Sequence, residues 1–238
     1  MDKLYKYYHQ SYDELFNYKN YNFECDLILK NISVNKNNSI LSLGCGTDKH
    51  GFLLRKKINY NKYIGIDINK EMFSNINIDK KTNYYCYNII NFPKNFILKY
   101  KNTFDIIFAY GGVFNYISLK DLKNVLKICN KLLDKNGILV FDIPYNFENY
   151  SNNYIDIQNS NNVIKLSLSS KQNNIGFYQT IFFEKTKTNK IIKIDYDSEK
   201  IHLHNQKELS SLGFKFKKYD SKGLTKKPFV YYIYKKSD

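Results

Sequence analysis

The chain is 238 residues long and carries 37 Lys and Arg against 22 Asp and Glu, a formal net charge of +15. That length suits one α/β domain with an elaboration and excludes two comfortable ones. The charge raises nucleic acid or an anionic membrane as a partner, but the lysines are spread along the whole chain and Arg55 is the single arginine, while phosphate and base readout favour arginine's planar fork. Nucleic acid is therefore the weaker expectation. The abundance of Lys, Asn, Ile and Tyr, with Ala109 the single alanine and no tryptophan, reads as the imprint of an AT-rich genome. Cys25, Cys45, Cys86 and Cys129 are far apart with no C-x-x-C spacing, so reduced thiols are expected and neither a disulfide frame nor a metal site. No apolar run reaches the length of a membrane span, and the opening Met1 to Lys6 does not read as a signal peptide; a cytoplasmic protein with no membrane partner is expected.

In chain order, residues 1–34 read as a helical cap of two helices, with Tyr5, Tyr8, Tyr12, Leu15 and Phe16 on one stripe of the first. From 35 to 144 strands and helices alternate, which implies a mostly parallel sheet covered on both faces. Its opening, Ile40-Leu41-Ser42-Leu43-Gly44-Cys45-Gly46-Thr47, reads as strand, glycine turn and helix start. About twenty residues on, Tyr63-Ile64-Gly65-Ile66-Asp67 is a second strand ending in an acid. That layout suits a nucleoside: Gly44 and Gly46 leave bare backbone for a ligand, and Asp67 can accept both hydroxyls of a ribose. A third glycine is missing, because Asp48 follows Thr47. A phosphate at that helix N-terminus would meet a carboxylate, which argues against a dinucleotide and for a ribose-bearing ligand without pyrophosphate.

Three later stretches keep the order: Asn83 to Phe92 as a third strand and loop, Thr103 to Tyr110 as a fourth strand opening on Phe104-Asp105, and Leu132 to Asp142 as helix end, Asn136-Gly137 turn and fifth strand. Together these segments resemble the class I S-adenosylmethionine (SAM)-dependent methyltransferases, with Ser42 in place of the usual acid of the first motif and Asp48 in place of its last glycine. The resemblance implies a Rossmann-like sheet with an antiparallel last strand and SAM as cofactor. It also implies a site made of Gly44, Cys45, Gly46, Asp67, Ile68, Met72, Asn88, Ile89 and Tyr110. In that site Asn88 would face the adenine amino group, Ile89 would lie on the purine, and Tyr110-Gly111-Gly112 to Tyr116 would floor the reaction space.

After Pro144 the texture changes. Asn146 to Asn162 reads as a polar loop. Val163 to Leu168, Gly176 to Phe183 and Ile191 to Tyr196 follow as an antiparallel β meander, so that 145–204 forms an insertion or lid. The remaining 205–238 supplies a short helix over Asn205 to Leu212, stopped at Gly213, and two closing strands. The Tyr12-Asp13 pair, the first motif, a three-stranded insertion and His202-Leu203-His204 come in the order seen in nucleotide-linked amino-sugar N-methyltransferases, which the chain resembles more loosely. The expected reaction is methyl transfer to an amino or hydroxyl group of a small, possibly nucleotide-linked acceptor such as a surface-glycan or secondary-metabolite precursor. Tyr12, Tyr116, Asp142 and His202 are the candidate catalytic groups, with Tyr8, Asn115, Tyr145 and His204 near the same mouth. An RNA or DNA methyltransferase and a non-catalytic SAM-binding protein remain as alternatives. The former is disfavoured because Tyr110-Gly111-Gly112-Val113 stands where amino-directed nucleic-acid enzymes carry an Asp/Asn-Pro-Pro-aromatic motif to grip a flipped base. Oligomeric state is left open, a homodimer included.

Overall fold

The computed structural model describes residues 3–33, 36–74, 76, 78–144, 154–220 and 229–237. The strands in chain order are β1 (Asn38–Leu43), β2 (Tyr60–Asp67), β3 (Thr82–Cys86), β4 (Phe104–Ala109), β5 (Leu133–Pro144), β6 (Tyr154–Asn159), β7 (Val163–Gln172), β8 (Ile175–Lys185), β9 (Ile191–His202), β10 (Phe216–Asp220) and β11 (Phe229–Lys235). The helices are α1 (Lys3–Tyr7), α2 (Tyr12–Leu15), α3 (Tyr21–Leu29), α4 (Lys49–Lys57), α5 (Lys94–Lys99), α6 (Leu119–Leu132) and α7 (Gln206–Ser210).

Seven strands form one sheet in the order β10-β11-β5-β4-β1-β2-β3, parallel from β5 to β3, with β11 antiparallel to both of its neighbours. Alternate residues feed two cores, one on each face. Leu41, Leu43, Ile107 and Ala109 pack under α6, while Ile40, Ile106 and Phe108 pack with Cys25 and Ile28 of α3 and Leu54 of α4. Helix α6 covers its face because Leu122, Val125, Leu126, Cys129 and Leu132 fall at three- and four-residue intervals and are all buried; Ser118 caps it by accepting from Asp121 N–H. The strand order reverses between β1 and β4, and a crevice for a ligand opens there, beyond the carboxyl ends of the strands.

β6 to β9 make a second, wholly antiparallel sheet in chain order. Part of the expected loop is therefore a strand. Tyr154–Asn159 pairs along its whole length with β7, and the Ile155-Asp156-Ile157-Gln158 alternation is a strand pattern hidden in an Asn-rich stretch. Tyr145 and the rest of that loop through residue 153 lie outside the described residues.

The N-terminal cap also differs from the expected pair of helices. It runs as α1, a single 3-10 turn His9–Ser11, α2 and α3. The breaks let each aromatic group reach its own neighbour. Tyr8 stacks on Phe182 of β8 at 4.6 Å, and Leu4, Tyr8, Leu15, Val163 and Phe182 form a small third core, so the cap docks on the second sheet. Among the described residues no helix is long and apolar enough to cross a membrane.

Candidate active site

The floor of the site is the loop after β1. Gly44 and Gly46 both take left-handed backbone angles, φ 62° and 54°, which L side chains adopt at a cost. Gly44 also needs to be bare for space, since an ideal Cβ there would lie 2.5 Å from Val113 Cγ2. The loop is pinned to the end of β2. Cys45 N–H donates to Ile66 O (2.9 Å), Gly46 N–H to Asp67 Oδ2 (2.9 Å) and Asn69 N–H to Asp67 Oδ1 (2.9 Å). Burial raises the Asp67 pKa, against the pull of these N–H groups. Each Asp67 oxygen holds one backbone donor and keeps further lone-pair capacity for another.

Around this carboxylate, Ile68 is 60 % exposed, Met72 is buried with its Cε close to Gly46, and Cys45 is buried. Asn88 caps the turn after β3 by accepting from Ile90 N–H (2.9 Å), and its side chain is exposed. Ile89 is buried within the core beneath that turn, so Ile68 is the apolar group that faces outward here.

Asp48 corrects one expectation. Its carboxylate is 2 % exposed and points inward, where it accepts from Arg55 Nη1 (2.7 Å) and from the hydroxyls of Tyr63 and Tyr84. Burial raises its pKa and Arg55 is the first of the groups opposing that rise. The charge expected to repel a phosphate at the loop is thus neutralised behind it, by the chain's single arginine.

Beyond β4, the N–H groups of Gly111 and Gly112 donate to the two oxygens of Asp142 at 2.9 and 2.8 Å. Asp142 is 1 % exposed, and burial followed by the nearby Glu24 raises its pKa, with those N–H groups acting against the rise. Its two oxygens shape the loop, and unlike the half-buried Asp67 it is closed off from the site surface, which places it as a positioning group and not as a free base. Tyr110 is likewise committed elsewhere, since its buried hydroxyl donates to Glu24 O at 2.9 Å. The Glu24 carboxylate meets His50 Nε2 at 2.6 Å and accepts from Tyr231 at 3.0 Å; burial would raise its pKa, but His50, then Lys19 and Tyr231, bring it below the usual range.

The cap closes over this floor. Thr47 Oγ1 donates to Asp13 at 2.8 Å. Lys19, which the sequence reading passed over, donates to the Tyr12 hydroxyl at 3.0 Å and lies over the rings of Tyr12 and Phe16. Its Nζ would be 3.2 Å from a Cβ on Gly111, which sets a cation beside the glycine pair. Tyr116 bridges three parts of the molecule: it donates to Glu199 of β9 at 3.0 Å and meets Tyr5 at 3.1 Å. Because Tyr116 gives its proton to a carboxylate, Tyr5 is the donor in the second bond.

His202 lies three residues beyond Glu199 on the same strand, and side chains three apart point to opposite faces. It is half-buried near Lys200 and Asp121, burial and then Lys200 lower its pKa, and its ring stacks on His204 at 6.0 Å. Glu199, unnoticed in the sequence, takes the place facing Tyr116. His204 is buried with Nε2 directed at Phe114 O (3.1 Å) and Ile117 O (3.0 Å), and burial lowers its pKa. Asn115 is buried, its Nδ2 donating to His202 O at 2.7 Å.

A cleft of about 980 Å³ opens between the cap, the start of α4 and the turns at one end of the second sheet; its lining includes the carboxylates Asp13 and Glu14 and the lysines Lys49, Lys185 and Lys187, with Asn161 held by Glu14 and Lys49 near Asp13.

A family model described as a methyltransferase domain matches residues 34–176. No curated protein matches the chain. Among solved structures, a SAM-dependent methyltransferase from Clostridium acetobutylicum ATCC 824 superposes with a TM-score of 0.76 at 19 % identity, covering 97 % of this chain and 98 % of that one. The sugar N-methyltransferase KedS8 from Streptoalloteichus sp ATCC 53650 gives 0.75 at 14 % identity over 98 % and 95 % of the two chains. CalS10, an amino pentose methyltransferase from Micromonospora echinaspora solved with SAM bound, gives 0.70 at 14 % identity over 94 % and 95 %. At these identities the likeness is one of fold.

Proposed function

Because this chain belongs to the methyltransferase-domain family and is a SAM-dependent methyltransferase, we propose that it methylates an amino or hydroxyl group of a small, nucleotide-linked sugar in the cytosol. The residues present fit the donor. Asp67, anchored by two backbone N–H groups, has lone pairs to spare for the ribose hydroxyls. Ile68 offers an outward apolar surface for the adenine, and Asn88 stands at the end of the adjoining strand. Lys19, held by Tyr12 beside Gly111, supplies the cation for the donor's carboxylate. When bound, SAM provides a methyl group on a sulfonium that a lone pair displaces in line, so the protein's main tasks are to hold two partners close and to exclude water.

On the acceptor side, Asp142 fixes the Gly111-Gly112 backbone, and the Tyr5–Tyr116–Glu199 relay joins that floor to the cap and the second sheet. Tyr116 orients the acceptor through its hydroxyl, and Glu199 takes the proton that the acceptor sheds. Support for a nucleotide-linked sugar comes from the neighbouring cleft. Asn17 and Asn162 can donate to and accept from sugar hydroxyls, Asp13 and Glu14 can accept from them, and the lysines at the cleft, Lys187 foremost since Lys49 pairs with Asp13 and Lys185 with two asparagines, can meet phosphate.

The observation that carries the proposal is this polar relay set beside the glycine loop that Asp67 anchors. It is tested by incubating the protein with SAM and nucleotide-linked amino sugars, the matching free sugars, and transfer RNA, and reading the mass gain of one methyl. Methylation of the nucleotide-linked sugars in preference to the free ones supports the assignment; methylation of RNA alone refutes it.

A further inference from the structure

The turn that presents Tyr116 is held from outside. It is a single 3-10 turn, Val113–Tyr116, entered through Gly112 in the left-handed region at φ 72°. Its closing bond, from Ile117 N–H to Phe114 O, is long at 3.4 Å, and a turn this short leaves most of its carbonyls without helical donors. The end of β9 supplies what is missing. His204 Nε2 lies 3.1 Å from Phe114 O and 3.0 Å from Ile117 O, and Asn115 Nδ2 donates to His202 O at 2.7 Å. These bonds fall on residues 114, 115 and 117 and so bracket Tyr116 on both sides.

The chemistry of the partners fixes the direction of each bond. Carbonyl oxygens can only accept, so the imidazole proton of His204 sits on Nε2 and is shared between the two of them. Burial lowers the pKa of His204, which keeps the ring neutral with that proton in place. Asn115 is oriented by the same rule, since His202 O demands the amide nitrogen. The other end of that amide, Oδ1, is buried with no donor among the described residues. An interior amide with one end unpartnered costs stability, so the use of Asn115 lies at its nitrogen.

The same strand carries Glu199, which accepts from the Tyr116 hydroxyl at 3.0 Å. Tyr116 is 43 % exposed, so packing alone does not hold its ring. Its backbone is referred to the end of β9 through residues 202 and 204, and its hydroxyl through Glu199. We propose that His204 and Asn115 are positioning residues for methyl transfer: they clamp the turn to β9, so that the Tyr116 hydroxyl stands at a fixed place against the acceptor. This rests on the reading that Tyr116 orients the acceptor. Both residues act through Tyr116.

Nuclear magnetic resonance of the whole chain with isotope-labelled tyrosine tests it, the Tyr116 ring signal being the one that vanishes in Tyr116→Phe. Wild type is expected to give one sharp signal. His204→Phe fills the space without a donor and should broaden or split that signal, while His204→Gln returns an N–H and should restore it. Asn115→Ala should broaden it with His204 intact, which carries the test if His204→Phe fails to fold. With a nucleotide-linked amino sugar as acceptor, His204→Phe should lower kcat roughly tenfold at unchanged SAM affinity. Added to Tyr116→Phe it should cost less than about twofold more, because residues that act through one group do not add. An unmoved signal in His204→Phe and Asn115→Ala, no restoration by His204→Gln, or losses that multiply in the double variant overturns the proposal. If wild type methylates none of the sugars, the acceptor reading fails by itself, and the ring signal alone decides whether the clamp exists.

Discussion

The floor of the site and its roof are made in different ways. The floor is short-range and buried: a loop pinned by backbone bonds to Asp67, and Asp48 tied to Arg55, Tyr63 and Tyr84 beneath it. The roof is long-range and half-open. Tyr5, Tyr116 and Glu199 are drawn from three parts of the chain and meet through single hydroxyl bonds at exposed positions. Removing a buried partner strands a charge, whereas removing a surface hydroxyl leaves its neighbours to water. Stability should therefore reside in the floor and turnover in the roof.

The sharpest way to break that contrast is Asp48→Ala. It leaves Arg55 buried opposite two tyrosines, and the loss should be about 3 to 5 kcal/mol of stability in urea unfolding. An ordinary midpoint for this variant would mean that the floor is not held as described. Next comes Asp67→Ala: if Asp67 holds the ribose as proposed, the variant loses those charge-assisted bonds and should bind SAM about 1.5 to 3 kcal/mol more weakly, read by titration calorimetry.

In the roof, Glu199→Gln and Tyr116→Phe should each lower kcat roughly tenfold, about 1.4 kcal/mol in barrier, while SAM affinity and the unfolding midpoint stay put. A parallel fall in SAM affinity would place the relay at the donor and not the acceptor. The smallest effect concerns His204. Burial lowers its pKa in the fold, so the unfolded chain binds its proton first. Its contribution to stability is complete above the ordinary histidine pKa of about 6.5 and is lost as pH falls through the lower folded value. Thermal unfolding of wild type should show this decline from neutral to mildly acidic pH, and His204→Gln should flatten it.

The same contrast explains what the sequence disclosed. Gly44, Gly46 and Asp67 could be read because a tight turn and a strand end demand particular residue types at fixed spacing. The parallel sheet followed from the alternation after Ile40. Asp48 misled, because the direction of its side chain depends on a left-handed backbone angle and on Arg55 seven residues later. That spacing of two helical turns was the available signal. β6 was hidden by its asparagines and by an alternation whose apolar half faces outward. Lys19 and Glu199 left no local trace, since each acquires its meaning from a residue more than eighty positions away. His202 looked favourable by type, but strand parity turns it from the face that Glu199 occupies.

The most direct measurement is a crystal structure of the chain with S-adenosylhomocysteine. The ribose hydroxyls are expected on Asp67, the adenine over Ile68 beside Asn88, and the carboxylate within reach of Lys19. A nucleoside bound anywhere else, or a loop after β1 whose backbone makes no contact with it, would contradict the site.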